Sequence, residues 1–163
     1  MKNYFVVPFI VLFCFTACAQ QELYNNKDYK EIWRGAENLP DRGSISNVVI
    51  YKNIHDSDYA LKKVYLDSSY SRLIGEHFYF KSTLHGPFKT YNPYTGKLFQ
   101  VGFYKNNLLD GLKITYRNEI IISKSYFKNG IKTGVWEEYN NKGRLIEKVF
   151  FDKDGNEKAR NKF

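Results

Sequence analysis

A glycine followed five residues later by a tyrosine recurs three times in the second half of this chain, and it constrains the fold more than any other feature. Successive glycines are 25 and 23 residues apart. The pairs are Gly86 with Tyr91, Gly111 with Tyr116, and Gly134 with Tyr139. Periods of roughly 20–50 residues are typical of repeat architectures, in which each unit is one small motif packed against its neighbours.

Each unit contains stretches with the composition of β-strands, separated by polar turns. The stretches are rich in β-branched and aromatic residues, as in LKITY, EIIISKSYF and VWEEY. Asn129-Gly130 indicates a tight hairpin, because both central residues of a type I′ turn need positive φ. Gly96, Gly143 and Gly155 each end a polar run that suits a longer hairpin loop. The sequence therefore predicts an all-β fold, a meander of antiparallel β-hairpin repeats that forms one elongated sheet.

The best-formed unit runs from Tyr126 to Asp152 and resembles the MORN-repeat variant, a motif of bacterial proteins often labelled antitoxin components. The residues that carry the resemblance are Gly130, Gly134, Trp136, Tyr139 and Gly143. It extends over residues 79–156, although the middle unit has Lys113 at an aromatic position and Asn118-Glu119 in place of the turn glycine. The resemblance implies an elongated hairpin sheet and says little about mechanism.

The aromatic content suits a thin sheet. The chain has 14 Tyr and 13 Phe residues, and large flat side chains cover a single-layer sheet and pair well across strands. We therefore interpret the repeated residues as structural. They are Gly86, Tyr91, Gly111, Tyr116, Gly130, Gly134, Trp136, Tyr139 and Gly143.

The N-terminus has the layout of an export signal. Lys2 precedes an apolar run that is too short for an ordinary membrane-spanning helix. The segment Phe15-Thr16-Ala17-Cys18 resembles the lipobox of bacterial lipoproteins, which implies a signal peptide at residues 1–17 and a lipid on Cys18. Plain signal cleavage beside an incidental cysteine is the alternative. Because Ala19 stands where Asp would retain a lipoprotein in the inner membrane, the resemblance implies export to the outer membrane of a Gram-negative bacterium.

The segments that flank the repeats give weaker patterns. Residues 18–27 are polar and suit a lipidated tether, and residues 157–163 suit a polar tail. A short helix is expected over residues 28–37, because Tyr29, Ile32, Trp33 and Ala36 have helical spacing after an apparent capping box at Asp28. Three strands follow within residues 28–78, either as degenerate repeats or as a small sheet that caps the array.

The composition narrows the classes of function. The net charge is +8, but the lysines are dispersed along the chain with no run of five or more, as expected for a solvated surface or for weak attraction to anionic headgroups or glycans, and not for nucleic acid. Cys14 would leave with the signal peptide, and a lipidated Cys18 leaves no thiol for a disulfide or a metal. His55, His77 and His85 have no metal-ligand spacing, and no motif of a catalytic nucleophile or a phosphate loop is present.

These observations favour a non-catalytic protein without a cofactor. The leading hypothesis is a membrane-anchored lipoprotein that binds a protein or glycan partner, or acts as a scaffold, through its hairpin surface. The family label offers an alternative, an immunity or antitoxin protein that neutralises a toxin. An envelope enzyme is the third hypothesis, but no residue set can be nominated for it.

Overall fold

The computed structural model describes residues 26–39 and 44–163, and these residues form one open antiparallel sheet of 12 strands. The predicted signal peptide, Cys18 and residues 18–25 of the tether lie outside the described residues. A 3-10 turn at Asn26–Asp28 precedes the first strand. The strands are β1 (Tyr29–Leu39), β2 (Ser44–Asn53), β3 (Tyr59–Tyr65), β4 (Leu73–Phe80), β5 (Thr83–Tyr91), β6 (Leu98–Lys105), β7 (Leu108–Leu109), β8 (Gly111–Arg117), β9 (Ile120–Lys128), β10 (Ile131–Tyr139), β11 (Leu145–Phe151) and β12 (Glu157–Lys162).

The strand order in the sheet follows the chain. Each strand pairs antiparallel with the next, except that the short β7 pairs only with β6 and leaves β8 as the next neighbour of β6. The all-β fold and the hairpin meander predicted from the sequence are therefore confirmed. The sheet is also continuous across the start of the repeats, because β4 pairs with both β3 and β5.

The prediction of a helix over residues 28–37 is wrong, because β1 occupies Tyr29–Leu39. The register of β1 against β2 shifts between Glu31 and Trp33, so Ile32 is an extra residue in a β-bulge. Because of the bulge, Tyr29 and Trp33 lie on opposite faces of the sheet, so the helical spacing of the apolar residues does not produce one apolar face. Pairing with β2 lets the Tyr29 ring pack edge-on against Phe78, 5.4 Å between ring centroids, whereas an isolated short helix is marginal in water.

The polar tail expected at residues 157–163 contains a strand. All six residues of β12 are exposed, yet the strand pairs with β11 and closes the sheet on that side. Arg160 Nη1 contacts Glu147 Oε2 at 2.8 Å, and Lys158 Nζ contacts Asp152 Oδ2 at the same distance. Backbone pairing and cross-strand ion pairs thus order a segment that has no apolar pattern of its own.

Four tight turns have the backbone conformation of a type I′ hairpin, with positive φ at both central residues. Asn129 and Gly130 have φ values of 49° and 79°, which confirms the turn predicted there. In the middle unit, Asn118 and Glu119 have φ values of 49° and 70°, so this turn forms without its glycine. The other two turns are Lys81-Ser82 and Asn106-Asn107.

The buried core lies towards the N-terminal end of the sheet. Seven of the nine buried hydrophobic residues among those described lie in β1 to β4. Val48 and Val49 are adjacent in β2, and both are 0% exposed, so this strand is buried on both faces. The repeats that follow form a thinner layer, in which most apolar side chains are half-buried.

Successive turns alternate between the two ends of the strands and form two rows. Turn row A comprises the connections β3–β4, β5–β6, β8–β9 and β10–β11, and turn row B the others that the structure describes. Counted with one flanking residue on each side, row A is 65–73, 91–98, 117–120 and 139–145. Row B is 53–59, 80–83, 105–111, 128–131 and 151–157.

Candidate binding surface

The repeated glycines occupy positions that require glycine-like backbone freedom. Gly86, Gly111 and Gly134 have φ values of 117°, 97° and 65°, which side-chain-bearing residues adopt at a cost. Gly86 and Gly134 lie where the pairing registers of β5 with β4 and of β10 with β9 skip residues. The glycine spacing found in the sequence therefore marks sharp local changes in strand direction.

The repeated tyrosines share one structural position. Tyr91, Tyr116 and Tyr139 each follow a register shift and immediately precede a turn of row A. Two of them donate their hydroxyl to a carboxylate, Tyr91 to Glu76 Oε2 at 2.8 Å and Tyr139 to Glu137 Oε2 at 2.7 Å. The pKa of both phenols is raised, mainly by burial and to a smaller extent by the carboxylate partner. The three tyrosines therefore lie at the same end of their hairpins, and their structural role remains a prediction.

Glu137 is the centre of a cross-strand ion cluster on the Tyr139 face of the sheet. Lys148 Nζ lies 3.0 Å from Glu137 Oε1, and Lys124 Nζ lies 3.8 Å from Oε2. The hydrogen bond from Tyr139 and the contact with Lys148 lower the pKa of Glu137. Glu138 points to the opposite face and stands across from Glu147 in β11. The two adjacent glutamates therefore do not form a proton-sharing pair.

The Trp136 face carries an aromatic ladder formed by Phe127, Trp136 and Phe151. The Trp136 ring centroid lies 5.1 Å from that of Phe127 and 5.1 Å from that of Phe151. Trp136 Nε1 donates a hydrogen bond to the backbone oxygen of Tyr126 at 2.9 Å, and Lys132 Nζ lies 4.7 Å from a Trp136 ring centroid. The ladder is thus a cluster of packed rings covered by a lysine, and the structural role of Trp136 remains a prediction.

The residues at the aromatic position of the other two units pack in a related way. Phe88 is only 5% exposed and covers Gly102, whose added Cβ would come within 2.7 Å of the ring. Lys113 occupies the same position in the middle unit, with its Nζ 5.8 Å from the Phe127 ring centroid. The long lysine side chain therefore takes the place of an aromatic ring as cover for the sheet.

The three histidines have different contacts. His77 stacks on Phe88 with ring centroids 6.0 Å apart, His85 Nδ1 is 3.3 Å from Asn106 Oδ1, and His55 Nε2 is 3.9 Å from Asp28 Oδ1. In the described ranges, no three His, Cys, Asp or Glu side chains are grouped so that they could hold a metal ion.

Turn row A contains a shallow cleft of about 110 Å³ between the turns of 92–97 and 118–119. Its lining includes two cationic side chains, two aromatic rings and two amides, namely Lys97, Arg117, Phe99, Tyr116, Asn92 and Asn118. Lys97 Nζ contacts Glu119 Oε2 at 2.8 Å, whereas Arg117 Nη1 donates to the neutral Asn141 Oδ1 at 3.2 Å. Such a lining can bind a small anionic or hydroxyl-rich group.

Large apolar side chains are exposed on or beside turn row A. Tyr94, at the tip of its turn, is 89% exposed. The C-terminal Phe163 is 71% exposed and lies beside this row, because its backbone N–H donates to Ile146 O at 2.9 Å. The remaining members are Leu66, Phe99, Ile120 and Ile146.

Sequence reasoning found the longer turns but missed the side chains that organise them. Asn92, Asn140 and Asp152 each begin a turn and accept two backbone N–H bonds through Oδ1, at 2.9–3.1 Å. Asn or Asp three or four residues before the turn glycine is the sequence pattern that would have identified them.

Comparisons with known proteins do not assign a family to this arrangement. Within the described segments, no helix has both the length and the apolar character needed to cross a membrane. No protein-family model matches the chain, and no curated protein matches it either. The resemblance to the MORN-repeat variant therefore rests on the motif of residues 126–152 and on the hairpin meander.

Proposed function

We propose that this protein is a non-catalytic binding or scaffold module, held at a membrane by a lipid on Cys18, whose hairpin array presents an extended surface to a protein or glycan partner. The observation that carries the proposal is the open sheet, in which every strand pairs only with its neighbours and half-buried rings lie on both faces. A long single-layer sheet has a large accessible surface for its size, which suits recognition of an extended partner.

The proposed anchor would determine which end of the strands lies near the membrane. β1 begins beside turn row B, where the backbone N–H of Ile54 donates to Asp28 O at 2.7 Å. A lipidated tether that ends at residue 27 would therefore reach the sheet at row B. Row A lies at the other end of the strands, about 25 Å away for strands of roughly eight residues. In this arrangement, row A is the end of the sheet that is available to a partner away from the anchor.

The test uses full-length protein in intact cells of a two-membrane bacterium. Metabolic labelling with a clickable fatty acid should mark the wild type and not Cys18→Ala, and photo-cross-linking from an exposed sheet position should capture a defined partner only in the anchored form. An unlabelled wild type would refute the anchor. A labelled wild type whose cross-links match those of Cys18→Ala would refute the binding role.

A further inference from the structure

We propose that turn row A is a binding site for an acidic polysaccharide, with one anionic group of the glycan in the cleft beside Arg117. This inference rests on the proposed binding function and names its class of partner. It is carried by the charge of the row, the composition of the cleft and the spacing of the turns.

The two turn rows differ in charge. Row A has five cationic and two acidic side chains, a net charge of +3, and row B has four cationic and six acidic side chains, a net charge of −2. Of the five cations in row A, only Lys97 forms an ion pair with a carboxylate among the described residues. The four without such a pair are Arg72, Arg117, Lys142 and Arg144, and all four are exposed.

The cleft combines charge with flat apolar surface. Arg117 keeps its full charge available, since its hydrogen-bond partner Asn141 is neutral. Tyr116 and Phe99 supply ring surface to the same cleft, and Asn92 and Asn118 add polar groups to its lining. A carboxylated sugar presents the matching groups, an anion for Arg117, hydroxyls for the amides and C–H faces for the rings.

The turns of row A repeat at a fixed step. Three successive turns carry Lys97, Arg117 and then Lys142 with Arg144, and each turn is two strands from the next. Neighbouring strands lie about 4.8 Å apart, so the cationic positions recur about every 9.6 Å. A polysaccharide with one carboxylate per disaccharide presents negative charges at a similar step, so one chain can meet all three turns.

A peptide fits this row less well. Peptides commonly bind sheets by pairing with a free strand edge, but row A consists of turns whose N–H groups are already bonded, for example to Asn92 and Asn140. The membrane of the proposed anchor lies at row B, which is the acidic row. Tyr94, 89% exposed beside the cleft, is instead placed to stack on a sugar ring.

The test is titration calorimetry of the full-length protein in detergent at low salt, with a hyaluronan octasaccharide as the acidic probe and a chitin oligosaccharide as the neutral one. We expect the hyaluronan octasaccharide to bind and the chitin oligosaccharide not to bind. The variant Arg117→Gln/Arg144→Gln should weaken binding at least about tenfold. The matched row B variant, Lys105→Gln/Lys153→Gln, makes the same change in net charge and should weaken it less than about twofold.

Several outcomes would overturn the assignment. Equal losses in the two double variants would mean attraction to net charge alone, and equal binding of poly-glutamate would make the partner an acidic peptide. Row A-dependent binding of phosphatidylglycerol vesicles without hyaluronan binding would make it a lipid surface. Circular dichroism of each variant, and recovery of affinity in Arg117→Lys, separate lost contacts from lost folding.

The two proposals fail separately. If no acidic glycan binds but a partner is still cross-linked in cells, the glycan assignment is wrong and the binding role stands. If the glycan binds in vitro but cells yield no anchored cross-link, the cellular role is wrong and the site stands.

Discussion

Replacing Trp136 with alanine tests whether the aromatic ladder is the local core of the repeat sheet. The indole lies between Phe127 and Phe151, 5.1 Å from each between ring centroids, and it is half-buried. Removing about 150 Å² of buried ring surface at ~25 cal/mol per Å² costs about 4 kcal/mol. Partial burial in the unfolded chain lowers this cost to about 3 kcal/mol.

The hydrogen bond of Trp136 adds little to that loss. Water can replace the indole N–H at Tyr126 O, because Tyr126 is exposed on this part of the sheet. Trp136→Phe keeps a ring between its neighbours and removes the N–H, so its cost should be about 1 kcal/mol. Most of the effect of Trp136→Ala is therefore attributed to ring packing.

The measurement is urea denaturation followed by far-UV circular dichroism for the wild type and three variants. Trp136→Ala should lower the free energy of unfolding by about 3 kcal/mol. Tyr94→Ala, which removes an exposed ring, should change it by less than about 0.5 kcal/mol. A loss below about 1 kcal/mol for Trp136→Ala would refute the packing role, and so would an equal loss for Trp136→Phe.

Three further substitutions test the turns, the packing and the pH dependence of the repeats. Gly102→Ala should lower the free energy of unfolding by about 1–3 kcal/mol, because the added Cβ would lie 2.7 Å from the Phe88 ring. In a double-mutant cycle, the same substitution should cost less when Phe88 is replaced by Leu. Asn140→Ala removes the acceptor of two turn N–H bonds. It should lower the free energy of unfolding by about 1 kcal/mol, which corresponds to a fall of several degrees in the thermal midpoint. Asn140→Asp keeps the acceptor and should leave the thermal midpoint unchanged. Desolvation and the neighbouring Glu147 raise the pKa of Glu138, so its ionised form opposes folding at neutral pH. Glu138→Gln should therefore stabilise the fold by about 0.2–1 kcal/mol at pH 7. This gain in stability should vanish as the pH falls through the raised pKa of the wild-type carboxyl. A gain that persists at pH 3 would show that the ionised form of Glu138 is not its cause.

The turns explain why the fold of the repeats could be predicted from sequence. Positive φ at Asn129-Gly130 and the polar runs that end in Gly143 and Gly155 are local requirements, and local requirements are visible in the residues themselves. Strands between such turns have few choices, since a tight hairpin forces each strand beside the previous one. The meander follows from turn chemistry with little help from long-range contacts.

The two ends of the sheet could not be predicted in the same way, because their structure depends on a neighbouring strand. β1 has apolar residues at helical spacing, but pairing with β2 makes the segment a strand in which Ile32 is a bulge residue. β12 has six exposed polar residues and exists because β11 offers unpaired backbone groups and Glu147 offers a partner for Arg160. Tertiary pairing overrides local preference at both positions.

The candidate site was hidden from sequence analysis for a different reason. Lys97, Arg117 and Arg144 are separated by 20 and 27 residues and belong to no motif. Their grouping on row A follows from the parity of a meander, in which every second turn lies at the same end of the sheet. That parity can be worked out once the strands are assigned. The sequence does not show, however, that Arg117 and Arg144 have no carboxylate partner among the described residues.

The distribution of burial divides this sheet into a core and an array of hairpins that extends from it. In a meander each strand pairs only with its neighbours, so much of the stability of the hairpins is a sum of local contributions. Here the core lies in β1 to β4, where Val48 and Val49 are fully buried. The hairpins from β5 to β12 extend from that core by pairing and ring contacts, and the cations on their row A turns are exposed. The cations of row A without a carboxylate partner are tolerated because they lie on exposed turns, where water solvates them.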